Sequence, residues 1–189
     1  MRAHTVPFGA VIAAAGLLLI AGPLIAGLCG VMINTSASLP TGYYQSRPLV
    51  LERGALVVAC VPAEAVEDGT ARRYISPPPI RALFTLPGLR CPEDVTPILK
   101  PIGAVPGDLV ELQADRVTVN GIALPNSGTH PEDSLGRPLT HWPWGTYRVA
   151  DNEVWLFATE AVRSWDSRYF GPVPLDRLLS GARPLWVWE

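Results

Sequence analysis

Lysine is almost absent from this 189-residue chain: of 15 basic residues, Lys100 is the one lysine and the other 14 are arginines. Chemistry that needs a neutral amine side chain therefore has a single candidate, because arginine keeps its proton under all ordinary conditions. Charge of either sign is sparse. Charged residues make up 17% of the chain and sum to a net −2, so there is no basic footprint for nucleic acid. The three cysteines are too few for a disulfide scaffold, and no Cys-x-x-Cys pair suggests zinc. The histidines, His4, His130 and His141, come without a Gly-x-Ser-x-Gly elbow, which argues against a Ser-His-Asp triad. No ligand set for a metal, nucleotide or haem is visible, and no cofactor is expected.

What the chain has in quantity is apolar surface and turn-formers. Hydrophobic residues are 48% of the total and the mean hydropathy is +0.22, which excludes general disorder. Twenty prolines and 17 glycines argue for a turn-rich, mainly β chain over a bundle of long helices. From Pro7 to Ile33 there is no charged residue, a run longer than the roughly 20 residues a helix needs to cross a bilayer. Pro23 within it is tolerated as a kink. Arg2 precedes the run and the next charge is Arg47, which places the N-terminus in the cytoplasm. The expected organisation is a cytoplasmic tail over 1–6, a transmembrane anchor over 7–33 and an exported β domain over 34–189. A cleaved secretory signal is the competing reading, but its apolar region would span only about 7–15 residues. A lipoprotein site at Cys29 fits poorly, because Leu28 precedes the cysteine where a small residue is wanted. Beyond the anchor, Cys60 and Cys91 form an even pair, which reads as a disulfide in an oxidising compartment; two buried free thiols are the alternative.

Within the exported part, residues 48–60 read as one or two strands around a turn, and 61–98, rich in proline and arginine, as an irregular excursion. Residues 109–124 alternate as β, with Val110 and Leu112, then Val117 and Val119, on one face, and Asn120-Gly121 as a hairpin turn. Residues 125–145 read as a loop and 146–158 as a second hairpin around Ala150-Asp151-Asn152. A short helix is expected over 175–180 and a last strand at Trp186-Val187-Trp188.

Three segments carry candidate chemistry. Asn34-Thr35-Ser36-Ala37-Ser38-Leu39-Pro40-Thr41-Gly42-Tyr43 lies just past the apolar run. Lys100 opens a stretch that closes in Pro106-Gly107-Asp108. Arg163-Ser164-Trp165-Asp166-Ser167-Arg168-Tyr169-Phe170-Gly171 is a compact polar cluster near the last core strands. Singly each is weak, since serine before Leu-Pro is commonly a turn residue, lysine a surface charge and Asp-x-Arg a structural ion pair. In this order behind an apolar anchor they resemble the bacterial type I signal peptidases, most closely the conjugative-transfer TraF branch, over residues 7 to 171. Two departures from the usual signal-peptidase pattern stand out. One residue fewer separates serine from proline, as in the TraF branch, and Pro101 follows the lysine where a basic residue is usual.

The resemblance implies a signal-peptidase-like antiparallel β domain on one N-terminal helix, held in the bacterial inner membrane with its catalytic part in the periplasm. It implies Ser38 as nucleophile, Lys100 as general base and Ser164 as the residue orienting the lysine. Ser36, with the Ser38 backbone N–H, would hold the oxyanion; Asp166, Arg168 and Asp108 would be structural support. A serine hydroxyl needs a base to become nucleophilic. A lysine serves once burial has lowered its pKa, and Ile98, Leu99, Ile102 and Val105 offer a dry wall for it. The implied substrate is an exported pilin precursor, cut through an acyl-enzyme and in some relatives cyclised. General removal of signal peptides is a second reading, and a non-catalytic component of a secretion apparatus a third.

Overall fold

The computed structural model describes residues 21–22, 25, 27–75 and 91–188. Most of the expected anchor and the proline-rich stretch 76–90 lie outside them. Among the described residues no helix is long and apolar enough to cross a membrane.

The described residues form eleven strands. They are β1 (Val31–Asn34), β2 (Thr41–Arg47), β3 (Leu56–Ala59), β4 (Ile98–Ala104), β5 (Leu109–Leu112), β6 (Val117–Val119), β7 (Ile122–Ala123), β8 (Gly145–Arg148), β9 (Glu153–Leu156), β10 (Val173–Pro174) and β11 (Leu178–Trp188). Helix α1 covers Ala63–Ala71 and a single turn, α2, covers Ser167–Phe170. A seven-stranded sheet has the order β1-β2-β11-β3-β4-β9-β10, and a four-stranded sheet has the order β7-β6-β5-β8. Every pairing is antiparallel, so the expected mainly β class holds.

The two sheets have separate cores. Val57, Ile102, Val154, Leu156, Phe170 and Val173 pack in the larger. Val110, Leu112, Val117, Val119, Trp155 and Phe157 pack in the smaller. Both arise from period-2 alternation, which turns every second side chain inward. Asn120 and Gly121 both adopt positive φ, 51° and 77°, the geometry of a type I′ turn, and they close the β6–β7 hairpin. A disulfide joins Cys60, at the end of β3, to Cys91, with Cα atoms 5.5 Å apart. It ties β3 to the chain that leads into its sheet neighbour β4.

Four readings change. Residues 63–71, expected to be irregular, form α1. Ala63-Glu64-Ala65-Val66-Glu67 is a run of good helix formers behind Pro62, and it was masked by the prolines and arginines around it. Residues 146–158 do turn at Ala150, whose carbonyl accepts from the Glu153 N–H, but they are not a hairpin. β8 pairs with β5 and β9 with β4, because Val149 exchanges hydrogen bonds with Gly107 and Asp108 and steers its two flanks into different sheets. The helix over 175–180 is one 3-10 turn at Leu175–Arg177 before β11 begins. Val31–Ile33, assigned from sequence to the end of the anchor, belong to β1 and pair with Tyr43–Gln45 of β2.

The far end of β11 is unlike the rest. Residues 183–188 are exposed on both faces of the strand apart from half-buried Ala182 just before them. Trp186 is 70% exposed and meets Trp188 edge-on, while Trp188 meets Tyr43 of β2. Gly42 lies flat beneath this ribbon: a Cβ there would strike the Trp186 carbonyl oxygen.

Candidate active site

Lys100 sits in β4 with its side chain inward. Burial alternates along the strand, so that Lys100, Ile102 and Ala104 share the core-facing side. The lysine thus occupies a core position at the end of the strand, where Ile98 and Leu99 line an adjoining cleft. Pro101 does not break the strand. Ile102 donates to Ala55 on the β3 side, while the Pro101 carbonyl accepts from Phe157, just past the end of β9. In an antiparallel strand one residue's N–H and C=O point the same way, so the missing donor of Pro101 falls where the β9 ladder has already ended.

The connection between β1 and β2 brings in Ser38. Lys100 Nζ donates to Ser38 Oγ at 2.6 Å and to Ser164 Oγ at 2.8 Å. All three residues are buried, at 5%, 6% and 2% exposure. The lysine pKa falls from 10.5 to about 8. Burial is the main cause, since it penalises the ammonium; the Asp166 charge pulls the value back up and the Arg168 charge pushes it further down.

Ser164 precedes α2 and is held from behind. Arg168 and Asp166, at 1% and 0% side-chain exposure, form a buried ion pair. It is bidentate: Arg168 Nε to Asp166 Oδ1 at 2.8 Å and Nη2 to Oδ2 at 2.9 Å. The same guanidinium donates to the carbonyls of Asn126, Gly128 and Ser164. Asp166 also caps α2 by accepting from the Arg168 N–H, and accepts from the Ala158 N–H. These bonds tie the 126–128 loop, the end of β9 and the Ser164 backbone together. Asp108 has a different place. It accepts from the Val105 N–H and from Asn120 Nδ2, and lies 3.7 Å from Arg53, so it braces the β4–β5 turn and makes no bond to Lys100, Ser38 or Ser164.

Ser36 is exposed. Its Oγ lies 2.8 Å from Ser38 Oγ and accepts from the Ser38 N–H at 3.4 Å. The two groups expected to hold an oxyanion therefore bond to each other here, and rotation of the Ser36 side chain frees both. Of the histidines, His130 lines the cleft with its ring at the Val162 carbonyl, and His141 stacks on Trp144; His4 lies outside the described residues. Among the described residues no group of three His, Cys, Asp or Glu could hold a metal.

Asn34, the last residue of β1, opens the first candidate segment but was given no role of its own from sequence. It is buried, and its side-chain amide reaches across the serine loop to Ser36, Leu39 and Pro40. The available signal was an Asn two residues before a backbone N–H it could accept from, the Asx-turn spacing. Tyr44, also missed, is 1% exposed and donates to the Pro40 carbonyl at 2.7 Å.

The cleft above the three hydroxyls and the amine encloses about 970 Å³. Its walls come from β1, the serine loop, Thr96–Lys100, Tyr74 and Trp165. It can admit an extended polypeptide segment and offers a hydroxyl, an adjacent amine of lowered basicity and no resident metal ligands among the described residues.

The chain is similar to several known proteins. The profile of the family described as "Signal peptidase, peptidase S26" matches residues 6–188. A plasmid transfer protein TraF of Escherichia coli is 35% identical over 172 residues, covering 90% of either chain. A conjugal transfer protein TraF of Agrobacterium fabrum is 32% identical over 176 residues, covering 91% of this chain and 92% of its own. The crystal structure of a signal peptidase I from Enterococcus faecalis V583 matches with 16% identity and a TM-score of 0.37, over 71% of this chain and 98% of that one.

Proposed function

The chain belongs to the S26 signal peptidase family, together with the TraF transfer proteins, and on that premise we propose that it is a membrane-anchored Ser/Lys endopeptidase that matures an exported pilin precursor in conjugation. The observation that carries the reading is the buried Lys100 amine 2.6 Å from Ser38 Oγ. A general base must lie within about 2.6–3.2 Å of the oxygen it deprotonates and have a pKa near the working pH; both conditions favour Lys100 here.

In the proposed reaction neutral Lys100 takes the Ser38 hydroxyl proton as Oγ attacks the scissile carbonyl. The oxyanion accepts from the Ser38 N–H and the Ser36 hydroxyl, a contribution of about 3 kcal/mol per donor in comparable sites. The Lys100 ammonium then gives its proton to the departing amine, and an acyl-enzyme remains on Ser38. Water, or the substrate's own N-terminal amine, attacks the acyl carbon through the same base and releases a linear or a cyclic product. Ser164 holds the amine in line, while Asp166, Arg168 and Asp108 support the scaffold. The uncharged run from Pro7 leads directly into β1, so an anchor there would leave the serine loop close to the outer face of the inner membrane. A cleavage site beside a substrate's own apolar segment would be presented at that depth. The names of the relatives, plasmid transfer and conjugal transfer proteins, support conjugation as the setting.

The test is mass spectrometry of a candidate conjugative pilin precursor in cells carrying the wild-type chain, Ser38→Ala or Lys100→Arg at equal protein levels. The expected outcome is a matured pilin with wild type alone, its mass distinguishing cleavage from cyclisation. Undiminished processing by either variant overturns the Ser/Lys mechanism. An untouched pilin accompanied by a general block of export redirects the function to signal-peptide removal.

A further inference from the structure

The loop that carries Ser38 is bonded by side chains from both of its flanking strands. Residues 35–40 join β1 to β2 across the Asn34↔Gly42 pair, and Thr35, Ser36 and Ala37 are exposed. One buried side chain spans the loop. Asn34 Oδ1 accepts from the Ser36 N–H at 3.1 Å. Asn34 Nδ2 faces the carbonyls of Ser36, Leu39 and Pro40 at 3.0, 3.1 and 3.1 Å. An amide nitrogen has two hydrogens, so three acceptors are served by sharing one of them. The groups bonded lie on both sides of Ser38, one limb at Ser36 and the other at Leu39 and Pro40.

We propose that Asn34 is the positioning residue of the nucleophile loop: its amide, seated on β1 and bonded to both limbs, sets the distance from Ser38 Oγ to the Lys100 amine. The proposal rests on the peptidase reading for its consequence and on geometry for its content. Hairpin closure does not need the Asn34 side chain, because the backbone ladder already pairs Val31–Asn34 of β1 with Gly42–Gln45 of β2. The amide acts inside the loop, where it resists the spreading of the limbs that would carry Ser38 away from β4. No other side chain of this size serves. Aspartate keeps the acceptor for the Ser36 N–H but turns a charged oxygen toward three carbonyl oxygens. Alanine leaves all four loop groups without this partner.

The lone lysine makes the proposal measurable without a substrate. The full chain, in detergent, is labelled with 13C and 15N in lysine, so that one side-chain amine signal reports Lys100. Three quantities are compared in wild type, Asn34→Asp and Asn34→Ala: the titration midpoint of that signal, the rate at which a fluorophosphonate modifies Ser38, and the melting temperature. In both variants the expected result is a folded protein whose labelling is slower by roughly ten- to a hundredfold, the scale of a 1 Å misplacement. The lysine midpoint is expected to move away from about 8, because an amine that loses a hydrogen-bond partner and gains water changes its pKa. A midpoint and labelling rate equal to wild type overturn the proposal. So does unfolding of both variants at the assay temperature, which would assign Asn34 to fold stability alone. If wild type itself resists the fluorophosphonate while the Asn34 variants move the midpoint, the peptidase reading fails and the positioning role stands; an unmoved midpoint in that case overturns both.

Discussion

Under the proposed mechanism, a base buried until it holds its proton weakly should impose its own titration on the reaction. With a pKa of about 8 against an ordinary value of 10.5, roughly one Lys100 in ten is neutral at pH 7 instead of about three in ten thousand. Burial thus raises the reactive fraction by roughly 300-fold at neutral pH, a gap worth about 3 kcal/mol. The sign is set by which form works: protonated lysine accepts nothing, so activity is low below the pKa and rises as the proton leaves. Between pH 6 and 9 the rate of Ser38 acylation should climb about ninetyfold, nearly tenfold over the first pH unit and less than about twofold over the last. The assay is the initial rate of fluorophosphonate addition to the full chain, followed by intact-mass spectrometry, with Ser38→Ala as the blank. Lys100→Arg, which cannot lose its proton in this range, should remain near the blank throughout. A flat profile from pH 6 to 9 in wild type, or a Lys100→Arg profile that overlays it, refutes Lys100 as the base.

The same burial costs stability. Unfolded chains hold the lysine proton up to about 10.4 and the folded protein only to about 8, so stability rises with pH between these values and bears the full cost below them. Lys100→Met should therefore melt higher than wild type at pH 7, by up to about 3 kcal/mol less what the stranded serine hydroxyls cost, and lose that advantage toward pH 10; calorimetry showing a constant offset from pH 7 to 10 contradicts the cause given for the pKa. Arg168→Lys keeps the charge but loses the fork to Asp166 and the reach to Asn126 and Gly128. Breaking a buried pair costs about 3–5 kcal/mol, so the melting temperature should fall by roughly 10 °C; a fall under about 2 °C dismisses the bracing role.

Much of this arrangement is legible in one dimension. Lys100, Ile102 and Ala104 face inward at every second position, the alternation that marks a half-buried strand. The Asn120-Gly121 dipeptide dictates its own turn, because it has few alternatives with both φ values positive. The three segments singled out around Ser38, Lys100 and Ser164 do converge. What stayed hidden depends on partners distant in sequence. Nothing local in 146–158 says that β8 and β9 join different sheets; that follows from Val149 meeting the Pro-Gly-Asp turn forty residues earlier in the fold's own pairing. Helix α1 was obscured by averaging over a window dominated by proline. Asn34 stood as one polar residue just past the expected anchor, and its role emerges only once both limbs of the loop stand around it. The mutual pairing of Ser36 and Ser38 is a matter of side-chain rotation, which residue order does not encode.

The doubly bare end of β11 has a practical corollary. An ordinary sheet strand conceals at least one side from water; here indole and aliphatic groups look outward from both, and apolar area left wet forgoes about 25 cal/mol for each Å². Deleting the first thirty residues in the hope of a freely soluble fragment would leave this adhesive flap behind. Such a fragment should still require detergent, until Trp186 and Leu185 are exchanged for polar residues.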